Sequence, residues 1–179
     1  MSRDVSPRML RAFFTPDSPE NIITLLKISG ANLAGPIYLC DGYTKRLDAL
    51  TTDDEVVYGL TSEGIDHIFL PFNFPMPSDD GADGAKSTLT IYNATGLIAP
   101  LIRTLTAPPT VRIQVVMQGA TEASNGEEVC LPEITIDNLE LGGISYDKDQ
   151  VTGHLSVDTR MGEPFPCHTM TPSHCPGLF

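Results

Sequence analysis

Apolar residues recur along this chain mostly at every second position, in short runs separated by glycine, proline and acidic turns. The clearest run, Thr88-Leu89-Thr90-Ile91-Tyr92, alternates β-branched and aromatic residues and predicts a half-buried strand. Asn93 breaks it. Thr95-Gly96 then offers a short helix start, because a threonine oxygen accepts the orphan N–H groups of a first turn. Leu97, Ile98, Leu101, Ile102 and Leu105 follow at helical spacing, with Arg103 late, where the helix dipole favours a cation. Pro108-Pro109 stops that helix, since proline lacks the donor and clashes with the preceding turn. Beyond it, residues 110–117 alternate Val111, Ile113 and Val115 against Thr110, Arg112 and Gln114. Strand, short helix, strand is the reading of residues 87–117, and no catalytic side chain lies on it.

The same patterns order the rest of the chain. Ser6-Pro7 starts a helix, with serine as cap and proline at the first helical position. Met9, Leu10, Phe13 and Phe14 form its apolar face, and Thr15-Pro16 ends it. Residues 21–29 carry Ile22, Ile23, Leu25, Leu26 and Ile28, too dense for a one-faced strand, so the expectation is burial on both faces. A second strand, 36–40, pairs back through the loop 30–35. Residues 41–54 read as a loop, and 55–60 and 66–72 as strands around a Glu63-Gly64 turn. The run from Phe72 to Pro77 is too proline-rich for a central strand, and residues 78–84 form an acidic loop. After the polar stretch 119–128, a strand covers 129–138, and residues 139–146 and 151–157 form a hairpin across 147–150. Pro164, Pro166, Pro172 and Pro176 make residues 162–179 an extended arm laid over a surface. The expectation is a mainly β sandwich or barrel-like domain over residues 1–161, with a short N-terminal helix, one inserted short helix and the Pro-rich arm 162–179.

Charge narrows the partners. Eleven Lys and Arg against 23 Asp and Glu give a net charge of −12, which argues against a nucleic-acid surface or an anionic membrane surface. No apolar run reaches the roughly 18 residues of a membrane-spanning helix, and Met1-Ser2-Arg3-Asp4 lacks the apolar core of a secretory signal. Cytosolic synthesis and reduced thiols are the resulting expectation. Asn93-Ala94-Thr95 is a glycosylation acceptor without significance there.

Candidate chemistry is sparse. Asp79, Asp80 and Asp83 resemble a calcium loop, but the position needing a bidentate glutamate holds Thr90. Cys167-His168 and His174-Cys175 offer soft ligands suited to zinc, although adjacent side chains of an extended segment point apart and the spacing fits no zinc finger. Cys40 and Cys130 join Cys167 and Cys175 in a zinc or iron–sulfur site only if the fold brings the four together; a Cys167–Cys175 disulfide is open in oxidising surroundings. His67, inside a strand, reads as a satisfied structural residue, and His154 likewise. No nucleophile elbow, phosphate loop or dinucleotide fingerprint occurs, so the expectation is no enzyme and no cofactor.

At these residues the chain resembles a family of tail-tip proteins of long-tailed phages. The resemblance rests on the N-terminal helix and strand, Phe69-Leu70-Pro71-Phe72 before Pro75 and Pro77, and the variable acidic loop. Leu89-Thr90-Ile91-Tyr92-Asn93 and Pro108-Pro109-Thr110-Val111 follow, and it closes on Glu163-Pro164-Phe165-Pro166, Thr171-Pro172 and Pro176-Gly177-Leu178-Phe179. The first two-thirds is also similar to the N-terminal region of the minor tail protein L (hub) family of lambda-like siphophages. Relatives of that kind continue into a cysteine-rich, cluster-binding domain; this sequence stops at Phe179, so a cluster does not carry over. The family tail has an aromatic before Pro-Gly-Leu-Phe, where this chain has His174-Cys175.

The resemblance implies a tail-tube-type β domain in a structural virion component, made and assembled in the bacterial host cytoplasm and located in the tail. It implies a homo-oligomeric ring of three or six copies, touching the tail tube or distal tail protein, the end of the tape-measure protein and the central fibre or tip proteins. Hub and distal tail ring are both compatible with it. Phe165, Leu178 and Phe179 on the arm are the expected interface anchors, and the −12 charge is expected partly to line a channel that repels DNA. Two rival readings remain: a metal or iron–sulfur module built on the cysteines, and a carbohydrate-binding β domain. The second is disfavoured by the absence of tryptophan and by 7% aromatic residues.

Overall fold

The computed structural model describes residues 5–16, 21–43, 45–51, 56–75, 86–92, 100, 103–118, 130 and 132–157. It is mainly β: one helix, α1 (Pro7–Phe14), precedes ten strands of a single sheet. In chain order these are β1 (Ile22–Ser29), β2 (Ile37–Cys40), β3 (Lys45–Arg46), β4 (Tyr58–Ser62), β5 (Ile65–Phe69), β6 (Phe72–Asn73), β7 (Lys86–Tyr92), β8 (Thr110–Met117), β9 (Pro132–Tyr146) and β10 (Gln150–Val157). Their order across the sheet is β3-β4-β5-β2-β1-β8-β9-β10-β7-β6.

Strand β1 is buried on both faces, as its density of apolar residues predicts. Leu26 and Ile28 join one cluster with Val111 and Ile113 of β8, while Ile23 and Leu25 join another with Val116 on the opposite face. The register explains the sharing: Leu26 stands opposite Ile113 and Ile23 opposite Val116, so like faces coincide along the antiparallel pair. Strand β7 alternates as expected, with Ser87, Leu89 and Ile91 buried and Thr88 and Tyr92 exposed. Glu63 and Gly64 both take positive φ, 51° and 77°, which is the backbone of a two-residue hairpin turn, and Ser62 pairs Ile65 across it.

Three expectations change. Residues 139–146 are not a separate strand: β9 runs unbroken over 15 residues. Its alternation slips because it carries bulges. The register with β8 steps from Ile136 to Leu139 against Ile113 to Val111, with Asn138 at φ 60° between them. A second slip, at Gly143 (φ 57°), separates Ser145 from Gly142 against β10. Each bulge adds one residue and reverses which parity faces inward. Ile134 and Ile136, then Leu139 and Leu141, then Ile144 all therefore meet one core. Within the expected loop 41–54, Lys45–Arg46 forms β3 against β4. The expected strand 66–72 divides into β5 and β6, and β6, between Pro71 and Pro75, takes the edge of the order.

The division of β5 from β6 curls the sheet. Only Leu70 and Pro71 separate the two strands, yet they pair with β2 and β7, which lie far apart in the order. Leu70 N–H donates to the Cys40 carbonyl at 3.0 Å, and Tyr92 N–H donates to the Pro71 carbonyl at 2.9 Å. Adjacent residues thus hold β2 and β7 at once, and residues from β2 round to β6 share one apolar cluster, from Leu39 to Phe72. The antiparallel pair β3–β4 continues the order beyond β5 and buries Leu60 in the second apolar cluster. At one end, Met9 of α1 packs with Val115, Met117, Ile22 and Ile134 and covers the core.

The inserted helix after Asn93 falls outside the described residues apart from Pro100 and residues 103–107, as do the acidic loop 78–84, the 161/162 boundary and the arm 162–179. Among the described residues, no helix is long and apolar enough to cross a membrane.

Candidate functional site

Two of the four cysteines lie in one cluster. Cys40, at the end of β2, and Cys130, just before β9, are both buried beside Ile23, Leu25, Leu60 and Val116, with Phe69 against them. Cys40 Sγ donates to the His67 carbonyl at 3.3 Å. Burial, and then the negative charge of Asp41, push the Cys40 thiol up to about 12. That environment favours the thiol over the thiolate that a metal ion needs. Ser62 Oγ donates to the Cys130 carbonyl at 2.6 Å, tying the segment before β9 to β4. Among the described residues no group of three or more His, Cys, Asp or Glu is placed to hold a metal ion. Cys167 and Cys175 lie outside the described residues, together with His168 and His174 and the arm anchors Phe165, Leu178 and Phe179.

His67 is structural. It is 4% exposed, its Nδ1 donates to the Ile65 carbonyl at 3.1 Å, and its ring meets Tyr38 edge-on at 5.3 Å. Burial lowers its pKa below the ordinary 6.5, so the neutral ring is the stable form. Lys27 Nζ sits 5.6 Å over the other partner's ring, Tyr38. His154 is exposed and lies 3.4 Å from Thr88 Oγ1.

The surface is more telling. Of the apolar residues Met9, Leu10, Phe13 and Phe14 on the helix, only Met9 is buried. The rotation of α1 is set by its anchor. Ser6 Oγ accepts from Met9 N–H at 3.2 Å while donating to Glu133 Oε1 at 2.9 Å, and Ser6 N–H donates to Glu133 Oε2 at 3.0 Å. Held there, the helix turns Met9 and Ala12 to the strands and leaves Leu10 at 47%, Phe13 at 58% and Phe14 at 84% exposure. These three positions, spaced i, i+3 and i+4, form one apolar stripe.

A second exposed apolar feature lies beside the start of β1. Tyr43, exposed, contacts Phe69 at 5.0 Å and Tyr58 at 5.6 Å between ring centroids. Tyr43 and Phe69 line a cavity of about 460 Å³ with Asn21, Asp41 and Gln118. Tyr43 and Tyr58 come from a polar stretch and a strand start, so no periodicity signals that their rings meet. A second hollow, about 530 Å³, lies by Arg103 and the Gly142-Gly143 bulge, where Arg103 covers the Tyr146 ring at 4.9 Å. A scan against protein-family models and a search of curated proteins find no match to this chain.

Proposed function

We propose that the chain is a structural subunit of the tail tip of a long-tailed phage, the hub that links the tail tube to the distal tip. In this reading the curled sheet is a barrel-like domain of the tail-tube type. The observation that carries the reading is the stripe Leu10, Phe13 and Phe14. A helix pinned by a buried Met9 and a Ser6–Glu133 clasp presents three large apolar side chains outward. Such a patch is costly on an isolated surface and is what a subunit interface covers. The sequence resemblance supplies the class of assembly, and the net charge of −12 suits a wall that DNA passes without sticking.

A cryo-EM map of purified tails tests it, with Phe14→Ser particles beside wild type. Three copies closing the tube, with α1 against a neighbour, is the expected result. Six copies directly below the last tube layer would assign the distal tail ring instead. Absence from the particle, or Phe14→Ser tails indistinguishable in occupancy, would refute the interface.

A further inference from the structure

We infer that the Tyr43–Phe69 cavity is a docking groove for the proline-rich segment of residues 163–166 from a second copy of this chain. The chemistry of the groove selects that kind of ligand. Tyr43 is 57% exposed yet braced by Phe69 and Tyr58, so an aromatic surface faces solvent without freedom to collapse. Proline rings pack on such surfaces, and an extended proline-rich segment, already ordered, loses little entropy on docking. Its carbonyls have no internal partners. Gln118 and Asn21 stand at the same cavity, with Asn21 Nδ2 donating to Gln118 Oε1 at 3.3 Å. That bond directs the Gln118 carboxamide and leaves its NH₂ group to serve a ligand carbonyl.

The chain carries a matching ligand. Glu163-Pro164-Phe165-Pro166 places two prolines around an aromatic anchor. Residues 158–162 separate Val157 from this segment, so Pro166 reaches at most about 28 Å from Val157 in extended form. Strand β10 also runs toward the end of the sheet where β1 begins, because β1–β8, β8–β9 and β9–β10 are all antiparallel. Each copy carries a net charge of −12, and the groove offers apolar and hydrogen-bonding groups to hold copies together against that repulsion. A groove on one copy and a segment from the next make a heterologous contact, which repeats into a ring where the rotation between copies closes. This rests on the homo-oligomeric reading above and gives it a specific joint.

The test mixes two full-length variants in analytical ultracentrifugation. Tyr43→Ala removes the groove's ring and Phe165→Ser removes the anchor; Tyr43→Phe, which keeps the ring face, is the rescue. Wild type and Tyr43→Phe are expected to form the same oligomer. Each of the other two is expected to associate at least about tenfold more weakly, as loss of a central aromatic anchor does. Mixed, they are expected to give a heterodimer and nothing larger, because the mixture holds one working groove and one working segment per pair. Wild-type association retained by either variant, a monomeric wild type, or single losses that mixing does not restore would overturn the joint. A map showing rings whose grooves are empty would leave the tail-tip reading standing and remove this one.

Discussion

At the scale of single residues, environment rather than identity sets behaviour. His67 is a titratable group in a place that disfavours its charge: burial lowers its pKa, and the Ile65 carbonyl holds the Nδ1–H tautomer. The unfolded chain binds a proton as pH falls through about 6.5 while the native chain resists it, so the native state is progressively disfavoured on the acid side. The stability due to the neutral ring is complete above the unfolded value and is lost as pH falls below it. His67→Gln keeps a donor for Ile65 and removes the titration. Urea unfolding at about pH 7.5 and about pH 5 should show a smaller loss for His67→Gln than for wild type; parallel losses would exclude His67 as the source. That His67 is satisfied in a strand was legible from its apolar neighbours. The meeting of Cys40 and Cys130 was not, because strand pairing across 90 residues of sequence brings them together.

At the scale of elements, the helix and β9 mark the limits of periodicity. Ser6, Pro7 and Thr15 state where α1 starts and stops through local backbone chemistry, and the structure agrees. Which side faces inward is a different matter. Four apolar residues on a two-turn helix allow more than one rotation, and Glu133, distant in sequence, selects the one that buries Met9. In β9 the inward parity reverses at Asn138 and again at Gly143, and a period of two read without bulges splits one strand into pieces. Asn138 tolerates its φ of 60° because its short polar side chain suits the left-handed region; a β-branched residue does not. Asn138→Val should lower stability by roughly 1–2 kcal/mol, with Asn138→Gly close to wild type, as read from urea midpoints. Equal stability of all three would mean that the bulge does not persist in solution.

At the scale of the whole molecule, the decisive contact is the double attachment of Leu70 and Pro71. Leu70 N–H to Cys40 O, and Tyr92 N–H to Pro71 O, fasten β2 and β7 through neighbouring residues. If that fastening is part of the global fold, the amides of Leu70 and Tyr92 should exchange hydrogen as slowly as those of Leu26 and Ile113 in mid-sheet. Exchange of both within minutes at neutral pH would show the curl to be open. Sequence by itself determined the β class, the capped helix, the β1–β2 and β8 strands and the hairpin turn at Glu63-Gly64, since each follows from period-two patterning or from backbone preferences within a few residues. Only the tertiary structure decided the joining of two strands into β9, the separation of β5 from β6, the outward stripe on α1 and the rings gathered around Tyr43. Those depend on which distant strands share hydrogen bonds, and the free energy of such pairing belongs to no local window of the chain.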